Sequence, residues 1–388
     1  MKLLHVVPSY LPATRYGGPI YSVHALCAAL VRLGHAVEVF TTNVDGPGVS
    51  PVPVGAPVDV DGVKVTYFAT GLGRRLYRSP AMGRALAERA KSFDVLHLHS
   101  VFLWPTTAAA RAARRSAVPY LMSPRGMLVS DLIRRKSSVL KTGWITLFDR
   151  RNLANAAAVH VTSEVEADEF RRLQLPSREI VVIPNGLDAP SLTTSEGGKA
   201  NAEPTVLCLG RISWKKGLDR LIAAMARVER GRLIIAGNDE EGYRPRLEAH
   251  ANKLGLSHRI EFRGPVHGDE KWRLLATADV FALASYSENF GNVVLEAMTC
   301  GVPVVVTPEV GLAPAVRAAE AGIVVEGDAV PLGSAIAGLL DDPRERRRLG
   351  ENGRKCVAEQ FSWPAIARAM SEVYARAVVG RCAGPASP

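Results

Sequence analysis

Glu288 and Glu296 stand with seven residues between them in the stretch SENFGNVVLEAMTCGVPVVVT. Read locally, DVFALAS is a strand, YSENFG a loop, NVVLEAMTCG a helix of two to three turns and VPVVVT the next strand. That parsing puts Glu288 in the loop after a strand and Glu296 one to two turns into the helix, among Val294, Leu295 and Ala297. Between them, the amides around Gly291 and Asn292 form the open N-terminus of the helix, where unpaired N–H groups favour an anion. The stretch therefore offers a carboxylate for hydroxyls, a positive helix end for phosphate and a second carboxylate for other hydroxyls. A sugar, a diphosphate and a ribose would be held in that order. Glu288 alone also suits an ordinary surface acid, whereas an acid in so apolar a helix as that of Glu296 needs a partner if buried.

A second loop, GRISWKKGLDRLI, places Arg211, Lys215 and Lys216 ahead of Gly217 and an amphipathic helix. Cations at a helix N-terminus oppose its dipole, so the arrangement asks for an anion between them, and a diphosphate fits. A solvated cationic loop is the plainer alternative. In PATRYGGPIYSVHAL, Gly17 and Gly18 sit where the first strand turns into a helix, which suits either a close ligand approach or a simple turn. In DVLHLHS, strand alternation puts His97 and His99 on one face. His99, at the strand's carboxyl end, is a candidate acid–base or hydrogen-bonding group, and His97 suits the core. The segment MSPRGMLVSDLIRRKSSVLKTGWITLFDRR mixes apolar Met127, Leu128, Leu132, Ile133, Leu140, Trp144, Leu147 and Phe148 with basic Arg125, Arg134, Arg135, Lys136, Lys141, Arg150 and Arg151. It can lie in a membrane interface or pack on its own domain.

Positioning these loops takes alternating strands and helices. The strand runs KLLHVV, AVEVFTT, VKVTYFA, DVLHLHS, PYLMSP, AVHVTS and EIVVIPN are followed by a polar, Gly- and Ser-rich stretch, after which TVLCLGRI, RLIIAGN, IEFRGPV, DVFALAS, VPVVVT and GIVVEG restart the pattern. Such alternation spells parallel α/β sheets, and 388 residues exceed what one core usually serves. The expected architecture is two doubly wound, Rossmann-like domains facing across a cleft, at residues 1–190 and 203–362, joined by a linker at about 191–202. Ligands of such sheets bind beyond the carboxyl ends of the strands.

The net charge of +10 is uneven: residues 1–200 hold 24 Lys and Arg against 15 Asp and Glu, and residues 111–151 hold ten basic residues against two acidic ones. An anionic partner or a solvated Arg-rich surface would each account for it. A basic nucleic-acid-binding protein is the non-enzymatic alternative; the aromatic-plus-basic platforms and groove-entering motifs of such proteins are missing, so no nucleic-acid partner is expected. The five cysteines are scattered without a CxxC pair, which argues against a zinc site or disulfide framework and for a reducing compartment. The opening apolar run is too short for a signal peptide and no apolar stretch reaches the roughly 20 residues of a membrane span, so a cytoplasmic protein is expected.

On the glycine pair, LGHAVEVFTT, DVLHLHS, VIPNGLD, GRISWKKGLDRLI, ENFGNVVLEAMTCGVPVV and LGENGRKCVAEQFSWPAIARAM, the chain resembles the retaining glycosyltransferases of the GT-B fold known as glycosyl transferases group 1. The resemblance spans nearly the whole chain, and its most specific element is the E-x7-E pair together with GR…KKG. It implies transfer of a sugar from a UDP- or GDP-sugar to a glycan or lipid-linked acceptor in polysaccharide biosynthesis, with the nucleotide sugar as co-substrate and no cofactor. Glu288 would bind donor-sugar hydroxyls and Glu296 the ribose. Arg211 and Lys216 would neutralise the departing diphosphate, helped by amides near Gly17, Gly18, Gly291 and Asn292, with Asn289 and Phe290 lining the sugar pocket. His99 would approach the transferred sugar. Arg125, Gly126 and Met127 would lie on the acceptor side, in a domain whose basic segment meets anionic membrane at its inner face. The last helix, from about 363 to 388, would return to the N-terminal domain. Transfer would retain the anomeric configuration by front-face displacement. The single DxD, Asp59-Val60-Asp61, precedes Gly62 and reads as a hairpin turn, so no essential metal is expected. A nucleotide-sugar epimerase on the same architecture is the enzyme of another class that these features would also suit. Trp214, between Arg211 and Lys216, departs from the family pattern.

Overall fold

In the computed structural model the described residues are 1–13, 18–129, 138–188, 203–239 and 242–382. They divide into two compact units, Met1–Gly186 with Trp363–Pro388, and Leu187–Ser362. The break falls after Gly186, a few residues before the expected one, and the helix Trp363–Cys382 belongs to the first unit. The expected linker at 191–202 lies outside the described residues, as does Gly17.

The first unit is built on an eight-stranded sheet. Its strands are β1 (Lys2–Val6), β2 (Ala36–Thr42), β5 (Pro57–Val60), β6 (Val63–Phe68), β7 (Val95–His99), β8 (Tyr120–Ser123), β9 (Ala158–Val161) and β10 (Ile180–Val182), in the order β10-β9-β8-β7-β1-β2-β6-β5. A separate two-stranded ribbon, β3 (Val44–Asp45) with β4 (Gly48–Val49), follows β2. All neighbours are parallel except β5 and β6, whose two-residue turn is Asp61-Gly62 with φ of 51° and 81°. Both central residues are left-handed, as a type I′ hairpin requires. The DxD motif is thus turn chemistry: Asp59 Oδ1 accepts from the Gly62 amide at 3.0 Å and Asp61 pairs with His24 at 2.9 Å.

The second unit holds β11 (Thr205–Leu209), β12 (Arg232–Ala236), β13 (Ile260–Arg263), β14 (Val280–Leu283), β15 (Val304–Val306) and β16 (Gly322–Val324), all parallel, in the order β13-β12-β11-β14-β15-β16. This is the doubly wound order that reverses direction between β11 and β14, and loops beyond that reversal open into a crevice. Strands buried on both faces read as unbroken apolar runs, which is why VVV and VFAL are recognisable in sequence. In the first unit the reversal lies between β1 and β7. One face of that sheet packs on the helices Gly18–Arg32 and Trp363–Cys382 through Leu3, Val23, Leu26, Val39, Val95, Ile366 and Met370.

Candidate functional site

The loops after β11 and β14 are neighbours because their strands are paired at the reversal. Gly217, at φ 59°, lets the β11 loop pass over the end of β14; a Cβ there would strike the Ala284 carbonyl. The Tyr286 amide donates to Lys215 O at 2.8 Å and stitches the two loops together. Lys216 and Glu288 consequently form an ion pair, both side chains mostly buried at 16% and 20% exposure. The anion that the cationic loop asks for is thus supplied in the folded chain by Glu288 itself. The dipole mismatch at 215–217 is therefore not by itself a sign of a bound diphosphate. Arg211 lies exposed in the same loop.

Glu288 is held by its backbone. Its amide donates to Glu309 O at 3.1 Å, and its carbonyl accepts from the Gly311 amide at 2.9 Å. Gly291, at φ 94°, caps the helix Asn292–Thr299 and packs against Val310. Asn289 and Asn292 are half-buried, whereas the Phe290 ring is buried against Phe361 and contributes to the core. Glu296 lies in that helix, as the sequence predicts, and its partner is Lys271 of the helix Gly268–Ala276, with Nζ 2.9 Å from Oε1. Its second oxygen, Oε2, is buried and accepts no hydrogen bond. Burial raises the Glu296 pKa, and Lys271 works the other way. A buried carboxylate oxygen without a donor is costly, and a donor brought by a ligand would relieve it. Trp214 lies near Tyr286, whose hydroxyl donates to Asp219 at 2.9 Å and whose ring carries the Arg220 guanidinium at 3.7 Å.

In the first unit, Gly18 opens its helix and is exposed. The PRGML loop follows β8, with Arg125 and Gly126 both left-handed at φ 55° and 72°. A non-glycine residue in that region costs about 1 kcal/mol or more and persists where its surroundings hold it. Here Arg125 Nη1 donates to Asn185 Oδ1 at 3.0 Å and Nε to His99 Nδ1 at 3.4 Å. The Gly126 amide donates to Glu166 Oε1 at 2.6 Å, while Glu166 Oε2 accepts from Thr162 N and Oγ1. Met127 is half-buried against the core. His99 is fully buried, and both its ring nitrogens are engaged: Nε2 bonds to His5 Nδ1 at 3.0 Å and Nδ1 faces Arg125. His97, His5 and His160 complete a buried polar strip on that face of the sheet, beside Tyr374 of the last helix. Burial, reinforced by the nearby Arg125 charge, lowers all four histidines, His5 and His160 to about 3, so their rings are neutral.

Among the described residues, His5, His97 and His99 are close enough to meet one metal ion. Their nitrogens already serve hydrogen bonds to one another, to Tyr374 and to His160, so an ion would have to displace those bonds. Lys271, Glu166, His5, His160 and Tyr374 were missed by sequence reasoning. Two had a signal: Ser163-x-x-Glu166 spells a helix-start box, and His5 sits in the alternation of KLLHVV.

Part of the basic segment, 130–137, lies outside the described residues. In the remainder, Leu128 enters the core and Trp144 is half-buried, but Leu140 and Leu147 are 76% and 71% exposed and Phe148 also faces solvent. Arg111, Arg114, Arg115 and Arg151 line a groove of about 570 Å³ with Leu147 and Phe148. No described helix is long and apolar enough to cross a membrane.

Comparison with known proteins places this fold. Residues 193–356 match the family described as glycosyl transferases group 1, and residues 17–186 match the glycosyl transferase 4-like domain. A D-inositol 3-phosphate glycosyltransferase of Xylanimonas cellulosilytica is 30% identical, over 98% of this chain and 97% of its own. Among solved structures, sucrose-phosphate synthase from Thermosynechococcus elongatus is 25% identical with a TM-score of 0.75, covering 98% of this chain and 99% of its own. Anabaena Alr3699/HepE in complex with UDP and glucose has the same fold at 21% identity and a TM-score of 0.73, covering 97% and 100%. The chain, built as two doubly wound units, matches these proteins from end to end, and it belongs to the glycosyl transferases group 1 family as a glycosyltransferase of the GT-B type.

Proposed function

We propose that the protein moves a sugar from a nucleoside-diphosphate sugar, a UDP- or GDP-sugar, to a glycan or lipid-linked acceptor in polysaccharide biosynthesis, with retention of configuration and without an essential metal. The observation that carries this reading is Glu296 Oε2, a buried carboxylate oxygen awaiting a donor, one helix away from the Lys216–Glu288 pair. A ribose hydroxyl supplies that donor. Departure of a nucleoside diphosphate then develops charge beside Lys216, Arg211 and the amides at Gly291 and Asn292. Fixed cations and dipoles stabilise such charge without reorganising, which is the task a metal performs elsewhere. Glu288 turns from its lysine towards the sugar hydroxyls, with Asn289 and the backbone of Phe290 beside it.

Both glutamates are tied to lysines, which ill suits a nucleophile, and a front-face displacement agrees with that. Arg125, Gly126 and Met127 serve the acceptor side, with His99 as the group beneath Arg125. The exposed Leu147 and Phe148 beside Arg111, Arg115 and Arg151, with Leu140 and Arg150 also exposed, suit an anionic membrane at the cytoplasmic face, where a lipid-linked acceptor would be presented. Calorimetric titration of UDP, GDP, ADP, dTDP and CMP into the protein with a chelator present tests the core of the proposal. One nucleoside diphosphate is expected to bind well above the rest, and its sugar to be transferred. Folded protein that binds none of them would refute it.

A further inference from the structure

The buried histidines form more than a polar patch. Six hydrogen bonds run in series from Arg125 through His99, His5, Tyr374, His97 and His160 to the Ile183 carbonyl, at 3.4, 3.0, 3.5, 2.8, 3.3 and 2.9 Å. Each end permits one sense only, since a guanidinium donates and a carbonyl accepts. From the carbonyl end, His160 Nε2 must carry the hydrogen, so its Nδ1 accepts from His97 Nε2. His97 Nδ1 then accepts from the Tyr374 hydroxyl, whose oxygen accepts from His5 Nε2. His5 Nδ1 accepts from His99 Nε2, leaving the His99 Nδ1 lone pair facing Arg125 Nε. Starting from Arg125 gives the same assignment at every ring: four neutral Nε2–H tautomers and no link with two donors or two acceptors.

We propose that Tyr374 and His5 are positioning residues that join the two ends of the series and hold the His99 ring in place, and through it the orientation of the Arg125 guanidinium. The last helix, by placing one hydroxyl between two rings, thereby decides how a loop on another edge of the unit presents its cation. Arg125 is the one member of the chain not fully buried, and its left-handed backbone needs such a hold. Of the groups facing the rings, Ser123 Oγ lies 3.0 Å from the His160 carbonyl and 3.4 Å from His160 Nδ1, so its hydroxyl can donate to either without changing the His160 tautomer; Asn185 takes the other branch of Arg125, and Glu166 secures Gly126. A divalent ion at His5, His97 and His99 would need lone pairs that the series already uses. The consequence for catalysis rests on the acceptor-side reading of Arg125 given above.

The test is two-bond proton–nitrogen correlation spectroscopy on full-length protein labelled at histidine and arginine, near neutral pH. The expected spectrum shows Nε2–H tautomers for His5, His97, His99 and His160 and a slowly exchanging Arg125 Nε–H. In Tyr374→Phe the two ends still favour Nε2–H at His99 and His160, but His5 Nε2–H and His97 Nδ1 lose their partner, so the His5 and His97 signals should shift and the Arg125 Nε–H should exchange roughly tenfold faster, the scale of one lost hydrogen bond. The same substitution should lower kcat/KM roughly tenfold, and no further in an Arg125→Met background, because groups acting through one another are not additive. An Nδ1–H tautomer at His99, additive losses, or stoichiometric cobalt binding with ligand-field bands would overturn the proposal. If Tyr374→Phe does not fold, the unsubstituted protein's spectrum decides alone. If no sugar is transferred at all, the proposed function fails while the spectrum still judges the relay.

Discussion

Acidification from about pH 7.5 to about pH 5.5 should cost the N-terminal unit a large part of its stability. His5, His97, His99 and His160 are neutral in the folded protein, their pKa values depressed from 6.5 by burial. A base with a depressed folded value contributes stability that is complete above its unfolded pKa and is lost as pH falls below it. At about pH 5.5 each unfolded histidine has taken up roughly 0.9 proton, worth about 1.4 kcal/mol, and four give about 5–6 kcal/mol. One buried acid in the unit opposes them. Asp149 is raised from 3.8 to about 7 by burial, so it favours the folded state as pH falls. Over the same interval it returns about 2 kcal/mol. The net loss is about 3–4 kcal/mol, from about a quarter to more than half of the 5–15 kcal/mol that holds a typical domain. Urea unfolding at the two pH values, read by pulsed hydrogen exchange on peptides from β1, β7 and β9, measures it. Near pH 5.5 unfolding should bind about three protons net. Asp149→Asn should raise that by about one, since the Phe102 amide that donates to Asp149 at 3.2 Å can still be accepted by the amide oxygen. Equal stability at both pH values, or no net proton uptake, would show that these rings are not neutral in the fold.

Four further outcomes follow from the second unit and the basic face. Lys216→Ala removes a cation proposed to meet the leaving diphosphate and leaves Glu288 unpaired, so kcat should fall roughly 10²–10³-fold in initial-rate assays with the donor that binds. Glu296→Gln should weaken nucleotide binding about tenfold by calorimetry while the fold survives, whereas Glu296→Ala should also lower the melting temperature by stranding Lys271. Gly217→Ala forces a Cβ into the Ala284 carbonyl at a left-handed position and should destabilise the second unit by about 3 kcal/mol or more, seen as lost protection in β11 and β14. Leu140→Asp combined with Leu147→Asp should abolish sedimentation with vesicles of anionic lipid and leave nucleotide binding unchanged; retained sedimentation would remove the membrane from the proposal.

Much of this protein was determined by its sequence alone. Runs such as VFAL and VVV read as strands because a strand covered on both faces needs apolar residues without interruption, and KLLHV and VLHLH read so too although each admits buried histidine. The loops after β11 and β14 were legible as sites because their glycines, lysines and glutamates act over a few residues. The turn at Asp61-Gly62 was legible for the same reason. Partnership was not. Lys216 meets Glu288 across 72 positions, Lys271 meets Glu296 across 25, and Tyr374 meets His97 across 277. Each pairing depends on which strands lie side by side and where a helix returns, and local propensity carries no trace of either. A lysine read as a phosphate contact therefore proves to be paired with a glutamate. A histidine read as facing a sugar has both nitrogens engaged inside the unit. A buried charge or ring must be satisfied by whatever the packed chain brings within about 3 Å, and only the tertiary structure decides what that is.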